Sequence, residues 1–155
     1  MNPNLFLHKI GCFAGYLALV AWSLFAQAAS IDSPVGLWKM IDDRTSTPRA
    51  LIRITETNGE FQGAIEKGLR PGEDENTVCE KCEGPRHDQH LFGMAIVAGM
   101  RKRGDVYAGG EILDPDNGKV YCCKMTLEDS GTKLQVRGFI GVSLFGRTQT
   151  WIRIE

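Results

Sequence analysis

Short runs of alternating apolar and polar residues recur along the chain, separated by turn-forming clusters about every 8–12 positions, a spacing typical of all-β folds. In the run Ala50–Glu56, for example, Ile52 and Ile54 alternate with polar residues. Successive side chains of a strand point to opposite faces, so this pattern predicts a strand with one buried face. The predicted strands are Leu37–Asp42, Ala50–Glu56, Phe61–Glu66, Leu91–Met100, Asp105–Leu113, Lys119–Glu128, Lys133–Gly141 and Leu144–Ile154.

Most connections between these runs favour hairpins. Asn58-Gly59 is the strongest turn signal, because both central residues of a type I′ turn need a positive φ. Asp114–Gly118 is built from turn-forming residues; its likeness to a calcium-binding loop ends at Met125, where such a loop needs a glutamate. The polar stretch Gly68–His90 is the one long connection.

A meander of eight strands leaves two unpaired sheet edges unless it closes on itself. Closing eight strands gives an up-and-down barrel whose interior is either filled or able to hold one small ligand. We therefore predict an all-β fold, an eight-stranded antiparallel up-and-down barrel, with a flat β-sandwich as the alternative. Glycines inside the runs, such as Gly63 and the pair Gly109-Gly110, are typical of bends and bulges in a curved sheet.

The segment before the first predicted strand has a different pattern. Lys9 is the only full charge in its first part, Ile10 to Phe25 is an uncharged apolar run, and Ala26-Gln27-Ala28 supplies small residues at a cleavage site. This is the pattern of a secretory signal peptide. An uncleaved membrane anchor is the alternative, but the run is shorter than the roughly 20 residues that a spanning helix needs. We predict a signal peptide over residues 1–28, one domain over residues 29–155, no integral membrane span and a periplasmic or secreted location.

Composition narrows the classes of function. The 155 residues contain 18 Lys+Arg and 19 Asp+Glu, with a net charge of −1 and 43% hydrophobic residues. These values exclude collagen-like and disordered chains. The near-zero charge also argues against nucleic acid as a partner.

The start of the first strand resembles a known signature. Gly36-Leu37-Trp38 is similar to the G-x-W of lipocalins and the wider calycin group. The resemblance implies a lipocalin-like barrel in which this tryptophan closes one end, with an arginine of the last strand on its ring. Arg147 and Arg153 are the candidates, and we assign the barrel-closing role to Gly36, Trp38 and Arg153. A guanidinium over an indole contributes about 0.5–2 kcal/mol.

A second resemblance covers nearly all of residues 29–155. It is carried, in this order, by Val35–Trp38, Ile112–Pro115, Gly118–Tyr121, Val136–Gly141 and Gly146–Arg153. These segments resemble a family of small exported bacterial proteins known only as a domain of unknown function. The resemblance implies a periplasmic or secreted lipocalin-like barrel and supplies no catalytic residues.

Four cysteines lie in the predicted domain. Cys79 and Cys82 form a C-x-x-C in the long connection, whereas Cys122 and Cys123 are adjacent on a strand and should point to opposite faces. For an exported chain we expect a disulfide, either Cys79–Cys82 or a link from the connection to the sixth strand. A zinc site and a redox motif are the alternatives, disfavoured by ligand spacing and by the absence of a βαβ pattern. We predict no metal and no cofactor.

The last strand places Arg147, Gln149, Trp151 and Arg153 on one face. We favour this face inward, because exposing the tryptophan is more costly than exposing the threonines of the other face; the opposite orientation stays open. An inward Arg147 needs a carboxylate such as Glu111, or an anionic group of a ligand.

These patterns favour a non-catalytic barrel that binds a small apolar or amphipathic molecule. The alternatives are an interaction module of the cell envelope and, less favoured, an enzyme that uses a polar rim around Arg147, with an acid such as Glu111 or Asp114. No catalytic motif is present, so no catalytic residue is assigned, and the oligomeric state is not predicted. The predicted ligand-binding residues are Trp38, Tyr107, Glu111, Arg147, Gln149 and Trp151.

Overall fold

A computed structural model describes residues 32–155. The chain forms a closed barrel in which each strand pairs with its sequence neighbours and β8 pairs with β1. The strands are β1 Gly36–Ile41, β2 Pro48–Thr57, β3 Glu60–Gly68, β4 Ala95–Arg103, β5 Val106–Asp114, β6 Lys119–Glu128, β7 Lys133–Phe139 and β8 Gly146–Arg153. All pairs are antiparallel, so the predicted eight-stranded barrel is confirmed and the sandwich is excluded. The predicted signal peptide lies outside the described residues.

Two predicted strands begin too early, and the predicted seventh strand ends too late. Residues 91–94 belong to a turn that leads into β4, and residues 140–145 form an exposed loop before β8. Both segments are apolar, and apolar character alone does not separate a strand from a loop that packs on or beside it. The Asn58-Gly59 turn is confirmed, with φ values of 53° and 76°.

One end of the barrel is closed by the first and last strands. Trp38 is fully buried and pairs with Arg153, whose guanidinium carbon lies 4.2 Å from the indole centroid. Arg153 also donates hydrogen bonds to the carbonyls of Ser33 (2.7 Å), Val35 (2.8 Å) and Gly131 (2.6 Å). One side chain thus ties the entry of β1 and the β6–β7 turn to the barrel end.

The half of the barrel next to this closed end is solidly packed. The Tyr107 ring meets Phe61 edge-on at 4.9 Å, and its hydroxyl donates to the Asp32 carbonyl at 2.8 Å. Interiors packed in this way leave few voids larger than a water molecule. The buried side chains here include Ile52, Ile54, Met100, Met125, Leu134 and Trp151.

A bulge interrupts β5. The register with β6 shifts between Ala108 and Gly110, and a Cβ on Gly110 would overlap the Ala98 carbonyl of β4. Only glycine therefore allows this close approach. Because of the extra residue, the alternation of inward and outward side chains shifts by one position after the bulge. Every later β5 side chain therefore lies on the face opposite to the one that simple alternation predicts.

The long connection after β3 packs on the outer side of β5. Its Cys79–Cys82 disulfide, with a Cα–Cα distance of 5.4 Å, is confirmed, and both cysteines are buried together with Leu113. Cys123 is buried and free, and Cys122 is free and exposed. Burial raises the pKa of the Cys123 thiol to about 12. Within residues 32–155, none of the helical segments is long and apolar enough to span a membrane.

Arg153→Ala tests the closure. Loss of the stacked cation and of four hydrogen bonds to backbone carbonyls should lower the free energy of unfolding by roughly 2–4 kcal/mol, measured by urea denaturation. The matched control is Arg101→Ala, which removes an exposed ion pair with Glu60 and should cost less than about 1 kcal/mol. Equal effects of the two substitutions would contradict the closing role of Arg153.

Candidate ligand cavity in the open half of the barrel

A cavity of about 590 Å³ occupies the half of the barrel that lies away from Trp38. It is reached where β1 ends and β2 begins, and where β7 ends and β8 begins. Its apolar wall includes Met40, Ala50, Ile65, Phe92, Ile96, Ile112, Val136 and Phe139. A cavity of this size and lining is typical of small-molecule sites, which span about 300–1,000 Å³.

Small residues at inward positions explain why this half stays open. On β7, Leu134 and Val136 point inward and the next inward position is Gly138, opposite Arg147. On β2, the inward position next to Ile52 on the cavity side is Ala50, which pairs with Met40 of β1. The same alternation that fills the closed half with large side chains therefore leaves space in the open half.

An apolar loop forms part of the rim. Residues 140–145, between β7 and β8, expose Ile140 (69%), Val142 (61%), Leu144 (78%) and Phe145 (74%). Three of these four line the cavity mouth, and Val142 does not. Arg137 holds the loop by donating hydrogen bonds to the carbonyls of Ser143 and Leu144, at 2.7 and 3.0 Å.

Arg147 lies at the mouth and binds a carboxylate of the β1–β2 loop. Its Nε lies 2.7 and 2.8 Å from the two carboxylate oxygens of Asp43, and its Nη2 also contacts this group. The hydrogen bond from Arg147 holds the pKa of Asp43 below its usual range and raises the pKa of Arg147.

Arg49 is the most enclosed of the charged lining residues. Its side chain is 10% exposed and lies 3.5 Å from Asp42, 3.7 Å from Asp114 and in contact with Asp116. Asp42 is itself buried, and its pKa is lowered, mainly by a hydrogen bond from the Arg44 backbone amide.

Arg70 completes the charged rim from the long connection. Its Nη2 lies 2.9 and 2.7 Å from the two carboxylate oxygens of Asp116, and its Nη1 lies 3.6 Å from Glu73. Partial burial opposes ionisation of Asp116, but hydrogen bonds and charge from Arg70 and Arg49 hold its pKa below the usual value. The three arginines that line the cavity are therefore all engaged by carboxylates.

Five of the six predicted ligand-binding residues fall into two groups. Arg147 and Gln149 line the cavity, as the inward orientation of β8 predicted. Trp38, Tyr107 and Trp151 are buried in the packed half and do not line it.

Glu111 is placed on the outer face of β5, which corrects its predicted partnership with Arg147. The Glu111 side chain is 47% exposed and lies 3.2 Å from Arg86. The bulge explains this position: from an inward Tyr107, simple alternation would turn Glu111 inward, but the extra residue turns Ile112 inward instead. Asp43 takes the place that the sequence suggested for Glu111.

Comparison with known proteins assigns the family. Residues 36–153 match the sequence model of a family described as an uncharacterized protein conserved in bacteria (DUF2147). The chain belongs to this family. No curated protein matches the chain.

The fold of this DUF2147 barrel is shared with a solved structure. Protein HP1028 from the human pathogen Helicobacter pylori, described as belonging to the lipocalin family, is similar with a TM-score of 0.69 and 17% sequence identity. The similarity covers 79% of the DUF2147 chain and 84% of HP1028. At this identity the likeness concerns the fold, and it confirms the lipocalin-like architecture.

The sequence reasoning missed most of the charged rim. It treated Asp114 and Asp116 as turn residues, and they do form a turn, in which the Gly118 amide donates to the Asp114 carbonyl at 2.8 Å. The available signal was that Asp42-Asp43, Arg49 and Asp114–Asp116 all lie at strand ends that an up-and-down barrel brings to one end. Among residues 32–155, no cluster of three or more histidine, cysteine or acidic side chains is arranged to hold a metal ion.

The rim predicts a specific acid response. The pKa values of Asp42, Asp43 and Asp116 are lowered in the folded state. Their contribution to the free energy of unfolding is therefore fully present above the unfolded-state pKa, and it is lost as pH falls through the folded-state pKa values. We expect the free energy of unfolding to decline from about pH 5 downward, where unfolded-chain carboxylates begin to bind protons. Urea denaturation at a series of pH values measures this decline.

The decline should be shallower in Asp43→Asn, because one of the linked groups is gone. Asp129→Asn is the matched control, since Asp129 pairs with Lys133 outside the rim, and it should keep the wild-type slope. A wild-type stability that does not change between pH 5 and 3 would contradict the linkage.

Proposed function

We propose that this DUF2147 barrel is a non-catalytic binding protein for a small apolar or amphipathic molecule. The observation that carries the proposal is the cavity of about 590 Å³, with mainly apolar walls and with its charged groups at the mouth. Sites of this kind bury the apolar body of a ligand and orient it with a few polar contacts.

Burial of a hydrocarbon supplies the driving force. Each buried CH₂ group contributes about 0.8 kcal/mol. A chain of about eight such groups would therefore gain roughly 6 kcal/mol before the costs of association are subtracted. Methylene-rich ligands fit this balance better than small polar ones.

An exported location belongs to the same proposal. The Cys79–Cys82 disulfide is compatible with an oxidising compartment such as the periplasm. A binding protein there would hold an apolar molecule while it crosses water. The alternative of catalysis by Arg147 with Glu111 gains no support, because these side chains lie on opposite sides of the barrel wall. Asp114, the other acid considered, lines the cavity but lies beside Arg49.

Filling the cavity tests the proposal. Ala50→Phe places a ring against the cavity wall and should weaken binding of the uncharged apolar fluorophore N-phenylnaphthylamine at least about tenfold, measured by fluorescence titration. The matched control is Ala108→Phe, the same substitution on the outward face of β5, which should leave the affinity unchanged.

Circular dichroism checks that both variants fold, since overpacking destabilises by about 1–3 kcal/mol. Should Ala50→Phe unfold, Val136→Phe fills the same space from β7. Wild-type protein that binds no apolar probe, or a folded filled variant that binds as tightly as wild type, would refute the proposal.

The exposed loop at residues 140–145 favours a second candidate, docking of a protein partner on the apolar rim. The two roles are separable within the loop, because Leu144 lines the cavity and Val142 does not, although both are exposed. If the loop serves the ligand, Leu144→Ser should lose about 1 kcal/mol of binding free energy for the fluorophore, and Val142→Ser should lose none. If the two serine substitutions change the binding free energy of the fluorophore equally, the result would contradict a role of the loop in ligand binding.

A further inference from the structure

Each arginine at the cavity mouth is already paired with one or more carboxylates. Arg147 is bound by both oxygens of Asp43, and Arg70 by both oxygens of Asp116. Arg49 lies among three carboxylates and is almost enclosed. A ligand carboxylate or phosphate would have to displace one of these partners or approach an arginine whose charge a carboxylate already neutralises.

Both approaches would be unfavourable. Displacement would leave a protein carboxylate partly buried without its cation, which is costly for groups such as Asp42 and Asp116. Either approach would bring another negative charge beside carboxylates that already line the cavity, namely Glu73, Asp114 and Asp116. Arg44, the other arginine near this group, is 69% exposed and does not line the cavity.

A neutral hydrogen-bond donor is available deeper in the cavity. The Gln149 Oε1 accepts from the Trp151 Nε1 at 3.4 Å, and this indole nitrogen can only donate. The amide orientation is therefore set, and the Gln149 Nε2 makes no hydrogen bond to the described residues while its side chain lines the cavity. It can donate to a hydroxyl or carbonyl oxygen without disturbing an ion pair.

We infer that the cavity selects an amphipathic ligand with an uncharged polar end, such as a long-chain alcohol or ester, over the corresponding anion. The inference rests on the proposed function and specifies its ligand class. The carboxylates of the rim neutralise the arginines that line the cavity, and Gln149 supplies the polar contact.

Decanol and decanoate test the inference, because they share an alkyl chain and differ at the polar end. Competition with N-phenylnaphthylamine at neutral pH, where decanoate is ionised, should give at least about tenfold tighter binding of decanol. Desolvation alone disfavours a carboxylate in any apolar cavity. The decisive measurement is therefore how the ratio of the two affinities responds to the rim.

Asp43→Asn frees the Arg147 guanidinium and should shift the ratio towards decanoate by about tenfold, the worth of one charge-assisted hydrogen bond. Asp129→Asn removes a carboxylate paired with Lys133 at the other end of the barrel and should leave the ratio unchanged. Asp116→Asn, which frees Arg70, replaces Asp43→Asn if circular dichroism shows that the latter does not fold.

The outcomes distinguish failure of the inference from failure of the proposed function. Wild-type protein that binds decanoate as tightly as decanol, or a folded Asp43→Asn variant with the wild-type ratio, overturns the inference and leaves the proposed function standing. Failure of decanol, decanoate and the fluorophore to bind wild-type protein overturns both.

Discussion

The stacking of Arg153 on Trp38 is the contact on which the remaining architecture depends. It joins the first strand to the last, seals one barrel end and, through four carbonyl partners, fixes the segments that enter and leave that end. Because this end is closed and packed, the cavity lies at the other end. The position of the cavity is therefore a consequence of where the tryptophan lies in the chain.

Side-chain size then divides the interior into two halves. Large residues such as Leu134 and Trp151 fill the closed half, whereas Ala50 and Gly138 leave the open half unfilled. At the mouth, ion pairs such as Arg147–Asp43 satisfy charges that would otherwise be costly at partly buried positions. An apolar wall below neutralised charges suits a ligand that is apolar in its body and uncharged at its end.

The sequence predicts the fold well because its signals are local. Alternation sets the strands, Asn58-Gly59 sets a hairpin, and Trp151 indicates which face of β8 turns inward. The site is less predictable, because one extra residue in β5 decides the facing of Glu111, and the Gly109-Gly110 pair signals a bulge without fixing its register. The pairing of Arg147 with Asp43 joins residues 104 positions apart in the chain, which only the closed barrel brings together.

We expect an apolar ligand to enter the open half of the barrel and to leave the packed half undisturbed. Methyl-resolved NMR during titration with decanol tests it most directly, because isoleucine, leucine and valine methyl groups report from both halves. We expect shifts at Ile65, Ile112 and Val136, which line the cavity, and none at Ile54 or Leu134 in the packed half. Shifts confined to the outer loops, or an unchanged spectrum at saturating decanol, would contradict the account.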